Sequence, residues 1–280
     1  MGAYVRPSTL ADAVSAVGSE DYVILAGGTD FYPARVGKPV RENILDLSAV
    51  TELRGVSDKG DHWRIGATTT WTDIVRADLP ACFDGLKQAA LEVGGVQIQN
   101  AGTLCGNICN ASPAADGMPP LLTLDATVEL ADRNGVSRIA LSDFVLGNRR
   151  TARRPDQLVT GLLIPKVSPS ANAAFYKLGA RKYLVISIVM AAGVIEIDPQ
   201  GCVSAARIAI GACSEVAQRL PLLEADLKGR EVKGNLSAGL SPDHFQNLSP
   251  IDDVRGSAAY RLEAAIEAVR RVLDAIGENA

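Results

Sequence analysis

The sequence predicts an α+β fold, and three observations carry that reading. Turn signals join strand-like runs directly: Asn134-Gly135 separates Thr127–Ala131 from Val136–Ala140, and Asp198-Pro199-Gln200-Gly201 separates Val185–Ile197 from Val203–Ala212. The segment Ala258–Ile276 repeats apolar residues at three and four, with Leu262, Ile266, Val269, Leu273 and Ile276 along one stripe, so it reads as a long amphipathic helix. The stretch Pro165–Ala171 carries two prolines among small residues and reads as a linker, after which long strands replace short ones.

Taken in order, the first helix spans Ser8–Val17, with Leu10, Val14 and Val17 at helical spacing, a Thr9-x-x-Asp12 cap and Gly18 as its stop. Tyr22–Leu25 and Ile44–Leu47 read as short strands, and a first unit closes near residue 56. Trp63–Gly66 opens a second unit as a strand, followed by helical spacing over Thr70–Arg76 and Leu86–Val93. After the first hairpin come a short helix at Ser142–Leu146 and a strand at Gln157–Ile164. Arg149, Arg150, Arg153 and Arg154 form a basic cluster of the kind that usually coats a solvated face. Past the linker, Phe175–Leu178 adds a strand and Leu222–Leu227 a short helix, and the final helix is expected to cover the hairpin sheet. Three units follow: residues 1–56, 57–165 and 172–280.

Composition narrows the function. Of 280 residues, 47% are hydrophobic and 21% charged, an ordinary globular mix. The net charge of −4 offers no basic field to gather nucleic acid. The longest apolar run, Leu184–Ile195, is too short to span a bilayer, and Met1–Leu10 lacks the form of an export signal, so a cytoplasmic protein is expected. Five cysteines, at 82, 105, 109, 202 and 213, include no Cys-x-x-Cys pair, and they read as small buried thiols, with no metal site expected. His62 and His244 adjoin no nucleophile motif, and Asp252-Asp253 suits the cap of the last helix. No catalytic acid, base or nucleophile stands out. An enzyme so equipped relies on a cofactor.

The stretch that bears on a cofactor is Gln97–Asp125, QIQNAGTLCGNICNASPAADGMPPLLTLD. Pro113, Pro119 and Pro120 argue against its being mostly helix, and Gly102 and Gly106 against a regular strand. Glycines admit close backbone approach, Thr103, Asn107, Asn110 and Ser112 offer short polar arms, and Asp116 supplies a carboxylate for ribose hydroxyls. Exposed amides of this kind suit a pyrophosphate. The chemistry points to a nucleotide.

Asn100, Gly102-Thr103, Gly106-Asn107-Ile108, Ala111-Ser112-Pro113, Asp116, Pro119 and Leu124-Asp125-Ala126 together resemble the FAD-binding medium subunit of the molybdenum hydroxylases, the xanthine and carbon monoxide dehydrogenase family. LAGGTDFYP at Leu25–Pro33 resembles that family's other pyrophosphate loop; FYKLGARK at Phe175–Lys182 and SPIDDVRGSAAYR at Ser249–Arg261 resemble its C-terminal portion. The resemblance covers nearly the whole chain in order. It implies a two-lobed FAD-binding domain of the PCMH or vanillyl-alcohol-oxidase type, followed by an α+β C-terminal domain with an antiparallel sheet and helices.

By the same resemblance, Leu25, Ala26, Gly27, Gly28, Thr29, Asp30, Phe31 and Tyr32 form the first phosphate loop. Thr103, Gly106 and Asn107 contact the pyrophosphate, with Leu104 near the isoalloxazine. Ser112 and Asp116 bind the ribose and ribityl portions, Leu158 lies near the adenine or ring system, and Lys177 reaches the flavin from the C-terminal domain. Cys105 stands where the family commonly has a glycine, Gln99 where arginine is common, and KYLVIS after Arg181 departs from the usual acidic pattern. No cysteine-rich insertion supplies the iron–sulfur cluster that some relatives carry here.

The implied function is electron transfer inside a heterotrimer, which can dimerise, with a large molybdopterin-binding subunit and a small [2Fe–2S] subunit. Electrons pass from the clusters through FAD to an acceptor such as NAD⁺, oxygen or a quinone. A self-sufficient flavin oxidoreductase with its own small-molecule substrate is the alternative, and it needs an acid or base beside the flavin. A scaffold without FAD needs broken phosphate loops.

Overall fold

The computed structural model describes residues 2–280. The chain opens with β1 (Tyr4–Val5), α1 (Leu10–Val17), β2 (Val23–Leu25) and β3 (Ile44–Asp46). The three strands form a parallel sheet in the order β1-β3-β2. Thr9 caps α1 by accepting the Asp12 amide at 3.1 Å, and Gly18 ends it, as the sequence predicts.

Next come β4 (Val56–Asp58), β5 (His62–Gly66), α2 (Trp71–Arg76), α3 (Asp84–Glu92), α4 (Val96–Ala101), α5 (Leu104–Asn110) and α6 (Met118–Thr123). They lead to β6 (Thr127–Asp132), β7 (Gly135–Ala140), α7 (Leu141–Phe144), β8 (Val145–Gly147), β9 (Arg150–Thr151) and β10 (Leu158–Pro165). A five-stranded antiparallel sheet runs β4-β5-β10-β6-β7. Asp132 Oδ1 accepts the Asn134 amide at 2.8 Å and Gly135 takes a left-handed φ of 131°, which fixes the β6–β7 turn.

The remainder is β11 (Asn172–Leu178), β12 (Val189–Ile197), β13 (Val203–Gly211), β14 (Gln218–Arg219), α8 (Pro221–Leu227) and α9 (Ala258–Glu278). Its antiparallel sheet runs β11-β12-β13-β14, and α9 lies across β11 and β12. Close helix–sheet approach is possible because the strand is small where they cross: a methyl at Gly193 would sit 2.8 Å from a Val272 methyl. One hydrophobic core fills the N-terminal sheets and helices, and a second lies under α9.

Four expectations are corrected. Gln97–Asp125 is mostly helical, divided among α4, α5 and α6. Pro119 and Pro120 fall in the first turn of α6, where amides have no helical acceptor, so proline costs nothing there. Gly106 sits within α5 because the Thr103 hydroxyl occupies the space a side chain would need: a methyl on Gly106 would stand 2.6 Å from it. The helix expected at Ser142–Leu146 ends at Phe144 and turns into β8, and the strand expected from Val185 begins at Val189. The buried stripe of α9 is also rotated by one residue at its start: Arg261, Ala264, Ala265 and Ala268 face inward, while Leu262 is exposed. Alanines and a hydrogen-bonded arginine carry that face, which a search for large apolar residues passes over.

Candidate functional site

The first loop begins where β2 ends. Leu25 is buried at the strand terminus, and Ala26 to Tyr32 lead into a short 3-10 turn at Pro33–Arg35. Gly28 adopts φ +70°, a left-handed conformation that a β-branched residue resists. A methyl at Gly27 would lie 2.0 Å from the Ala101 carbonyl oxygen, so the loop presses directly on the end of α4. Among the described residues, no acceptor in the chain takes the amides of Gly27 through Phe31. Five successive free donors beside a left-handed glycine form the kind of concavity that holds a diphosphate. The residues present fit that part of FAD.

The second segment is built differently, with short side chains engaged within it. Thr103 Oγ1 accepts the Gly106 amide at 3.0 Å and caps α5. Asn107 Oδ1 accepts the Gly117 amide at 3.2 Å, and Ser112 Oγ accepts the Ala114 amide at 3.2 Å. Leu104 and Leu158 have no exposed surface and lie in the N-terminal core, Leu158 at the start of β10 opposite Ala131. The buried Trp71 ring spans the floor, close enough to Gly102 and Gly117 that a methyl on either would approach it to 3.4 and 2.9 Å.

Asp116 and Lys177 meet. Lys177 Nζ donates to Asp116 Oδ2 at 2.6 Å and to the Glu92 carbonyl at 3.2 Å, while Ser187 Oγ donates to Asp116 Oδ1 at 2.5 Å. The Lys177 and Asp116 side chains are only 3% and 9% exposed, so this lysine on an edge strand is no surface residue. Burial pushes the Asp116 carboxyl up, opposed by the Lys177 ammonium and the Ser187 hydroxyl. The predicted lysine therefore reaches the glycine-rich segment from the C-terminal sheet, held by a carboxylate on the same segment.

Sequence reasoning missed three contributors. Arg149, assigned to a solvated face, bridges the two segments: Nη1 donates to Asp30 Oδ2 at 3.0 Å and to Asn110 Oδ1 at 2.9 Å. Its backbone amide donates to Ala111, and its φ of +56° aims it there. Ser187 lies within KYLVIS, whose departure from the family pattern concealed it. Trp71 carried one signal, the glycines needed against its ring.

Among the described residues, no group of three or more His, Cys, Asp or Glu could hold a metal ion, and no helix is long and apolar enough to cross a membrane. The five cysteines are free; Cys82, Cys105 and Cys213 are buried, and Cys109 and Cys202 partly so. Burial pushes the thiols of Cys82 and Cys109 up to about 11 and that of Cys213 to about 12, so none of these three is a ready thiolate at neutral pH.

Comparisons with known proteins identify the family. Residues 1–167 match the family described as the FAD binding domain in molybdopterin dehydrogenase, and residues 174–276 match the CO dehydrogenase flavoprotein C-terminal domain. The chain is 31% identical over 283 residues to the carbon monoxide dehydrogenase medium chain of Afipia carboxidovorans, covering 97% of this chain and 95% of that one. It is 30% identical over 252 residues to the nicotinate dehydrogenase FAD-subunit of Eubacterium barkeri, covering 86% and 83%. Its fold superposes on the solved Cu,Mo-CO dehydrogenase with a TM-score of 0.89 at 27% identity, covering 100% of this chain and 98% of that one. Quinoline 2-oxidoreductase from Pseudomonas putida 86 gives the same TM-score at 26% identity, covering 100% and 98%. A FAD-binding domain joined to this C-terminal domain, matched along its whole length, places the chain in the family of FAD-binding medium subunits of the molybdenum hydroxylases.

Proposed function

We propose that this subunit carries electrons from the [2Fe–2S] clusters of a small partner subunit to an external acceptor, NAD⁺, oxygen or a quinone, with a large molybdopterin-binding subunit completing a cytoplasmic heterotrimer. Units 1–56 and 57–165 would cradle the cofactor and unit 172–280 would close on it. When bound, FAD supplies the redox chemistry, because it takes up and releases electrons singly or in pairs.

The chain's own residues bind and orient. The Gly27–Phe31 amides would hold the diphosphate, with Leu25 and Ala26 setting the loop's entry and Tyr32 its exit. Thr103, Gly106, Asn107 and Ser112 would shape the facing wall, Leu104 and Leu158 would back it, and Asp116 would accept from sugar or ribityl hydroxyls. Lys177 would place positive charge beside the reduced ring, where it offsets the negative charge that reduction adds.

The observation that carries the reading is that the carboxylates of the two segments, Asp30 and Asp116, are each paired with a basic side chain. Asp116 is closed by Lys177 and Ser187, and Asp30 by Arg149, so neither segment carboxylate is left free as a general acid or base for substrate chemistry. That favours electron transfer over a self-sufficient oxidoreductase. Stopped-flow mixing of the assembled complex with its substrate should bleach the flavin absorbance only when the iron–sulfur subunit is present. Rapid reduction by substrate in the isolated chain would overturn the proposal.

A further inference from the structure

Arg261 is the one buried side chain among the described residues with a polar atom lacking a hydrogen-bond partner, its Nε. Its side chain is 3% exposed, on the inner face of α9. Leaving a guanidinium donor buried and unpaired is unfavourable, so general helix stability does not account for an arginine here. Its remaining donors account for it. Nη2 is held by Asp253 Oδ1 at 2.8 Å, and Nη1 donates to the carbonyls of Ile188 and, at 3.0 Å, Ala212. Those carbonyls flank adjacent strand ends, because Met190 of β12 pairs with Gly211 of β13.

Ala212 itself, and the neighbour of Ile188, then touch the same remote turn. Ser187, next to Ile188, donates to Asp116 Oδ1 at 2.5 Å. The Ala212 amide donates to the Pro113 carbonyl at 3.0 Å. Ala212 has φ +63°, a left-handed conformation unfavourable for alanine, and it is held at both its amide and its carbonyl. One guanidinium thus fixes both anchors of the turn 112–116 from the far side of the C-terminal sheet.

We propose that Arg261 is a positioning residue for the Ser112–Asp116 turn, acting through Ile188–Ser187 and Ala212, with Asp253 holding it in place. It gives the SPIDDVRGSAAYR segment a task at a site its own residues do not touch. The proposal rests on the reading of Asp116 as part of the FAD site.

Hydrogen exchange on the full chain freed of FAD, followed by FAD titration, tests it with Arg261→Lys. Lysine keeps a charge for Asp253 but cannot span both carbonyls as a planar fork does. Exchange across residues 112–118 should quicken about tenfold while residues 264–276 of α9 stay protected, and FAD affinity should fall about tenfold. Unchanged exchange at 112–118 in the folded variant would overturn the positioning role. Faster exchange with unchanged FAD affinity would uphold that role and instead remove Asp116 from the FAD site. If the lysine variant does not fold, Asp253→Asn leaves the guanidinium in place and weakens its hold; the same two readouts should shift in the same direction by a smaller factor, and no shift would overturn the proposal.

Discussion

The two glycine-bearing segments proposed to hold the cofactor are built in opposite ways. The loop at 25–32 offers bare backbone: five amides without acceptors, one left-handed glycine and another pressed against the end of α4. The segment at 103–116 has most of its polar groups engaged, through the Thr103, Asn107 and Ser112 side chains and through Asp116 to Lys177 and Ser187. Backbone shape alone makes the first. The second needs the C-terminal domain, whose Lys177 and Ser187 are 61 and 71 residues away in sequence. A family motif can therefore look alike at both places while the physics differs.

Lys177→Met should have the largest effect, because it strips the partner from a buried carboxylate. Losing one member of such a pair typically costs about 3–5 kcal/mol. Part of that loss should return on acidification. The Asp116 carboxyl is already raised by burial, and without Lys177 it rises further. The penalty of charging it accrues as pH climbs from the unfolded value through the folded one, so lowering the pH removes it. Denaturant unfolding at pH 7 and pH 5 reads this directly; an Asp116–Lys177 pair of no structural consequence would leave the variant as stable as wild type at both.

Gly27→Ala attacks the other segment. Its methyl meets a backbone carbonyl at 2.0 Å rather than a flexible side chain, so the loop and α4 must part. Overpacking of this kind costs about 1–3 kcal/mol, which corresponds to about 5- to 150-fold if it falls on FAD binding. Titration of apo-protein should show weaker FAD binding with a smaller change in unfolding midpoint than Lys177→Met produces. The reverse ranking, stability lost and affinity kept, would mean that the first loop is structural and the distinction between the segments is wrong.

Arg149→Ala probes the bridge between them. The pair it forms with Asp30 is solvent-exposed, with side chains 60% and 49% accessible, so its contribution to stability should stay below about 1 kcal/mol. A modest drop in FAD affinity, steeper at low salt, is expected because screening already weakens an exposed pair. Affinity that does not depend on salt in either protein would show that the bridge plays no electrostatic part.

The smallest effect should come from Asp253. The Arg255 amide, with Arg261 and the Arg255 side chain beside it, draws its carboxyl down from 3.8 to about 2. A depressed carboxyl contributes stability that is present above the unfolded value and lost as pH falls through the folded one. The unfolding midpoint of wild type should therefore drop more than that of Asp253→Asn between pH 4 and pH 2. Parallel curves would show that this carboxylate makes no net contribution.

The sequence by itself determined the local elements and the family. Thr9 with Asp12, Asn134-Gly135 and Asp198-Pro199-Gln200-Gly201 act over four residues or fewer, so their geometry follows from neighbours alone. The glycine loops were legible for the same reason, since φ at Gly28 is a property of one residue. The motif's secondary structure was not legible, because prolines that break a helix interior are welcome in its first turn, and which case holds depends on where the helix starts. Only the tertiary structure decided that Lys177 is buried against Asp116, that Arg149 spans both segments, and that Arg261 rather than Leu262 faces inward. Each is a charged side chain whose burial or placement is set by a partner far away in the chain. A sequence read through its neighbours assigns such a residue to solvent, because leaving a charge in water is favourable until folding supplies an opposite charge or a carbonyl to replace it.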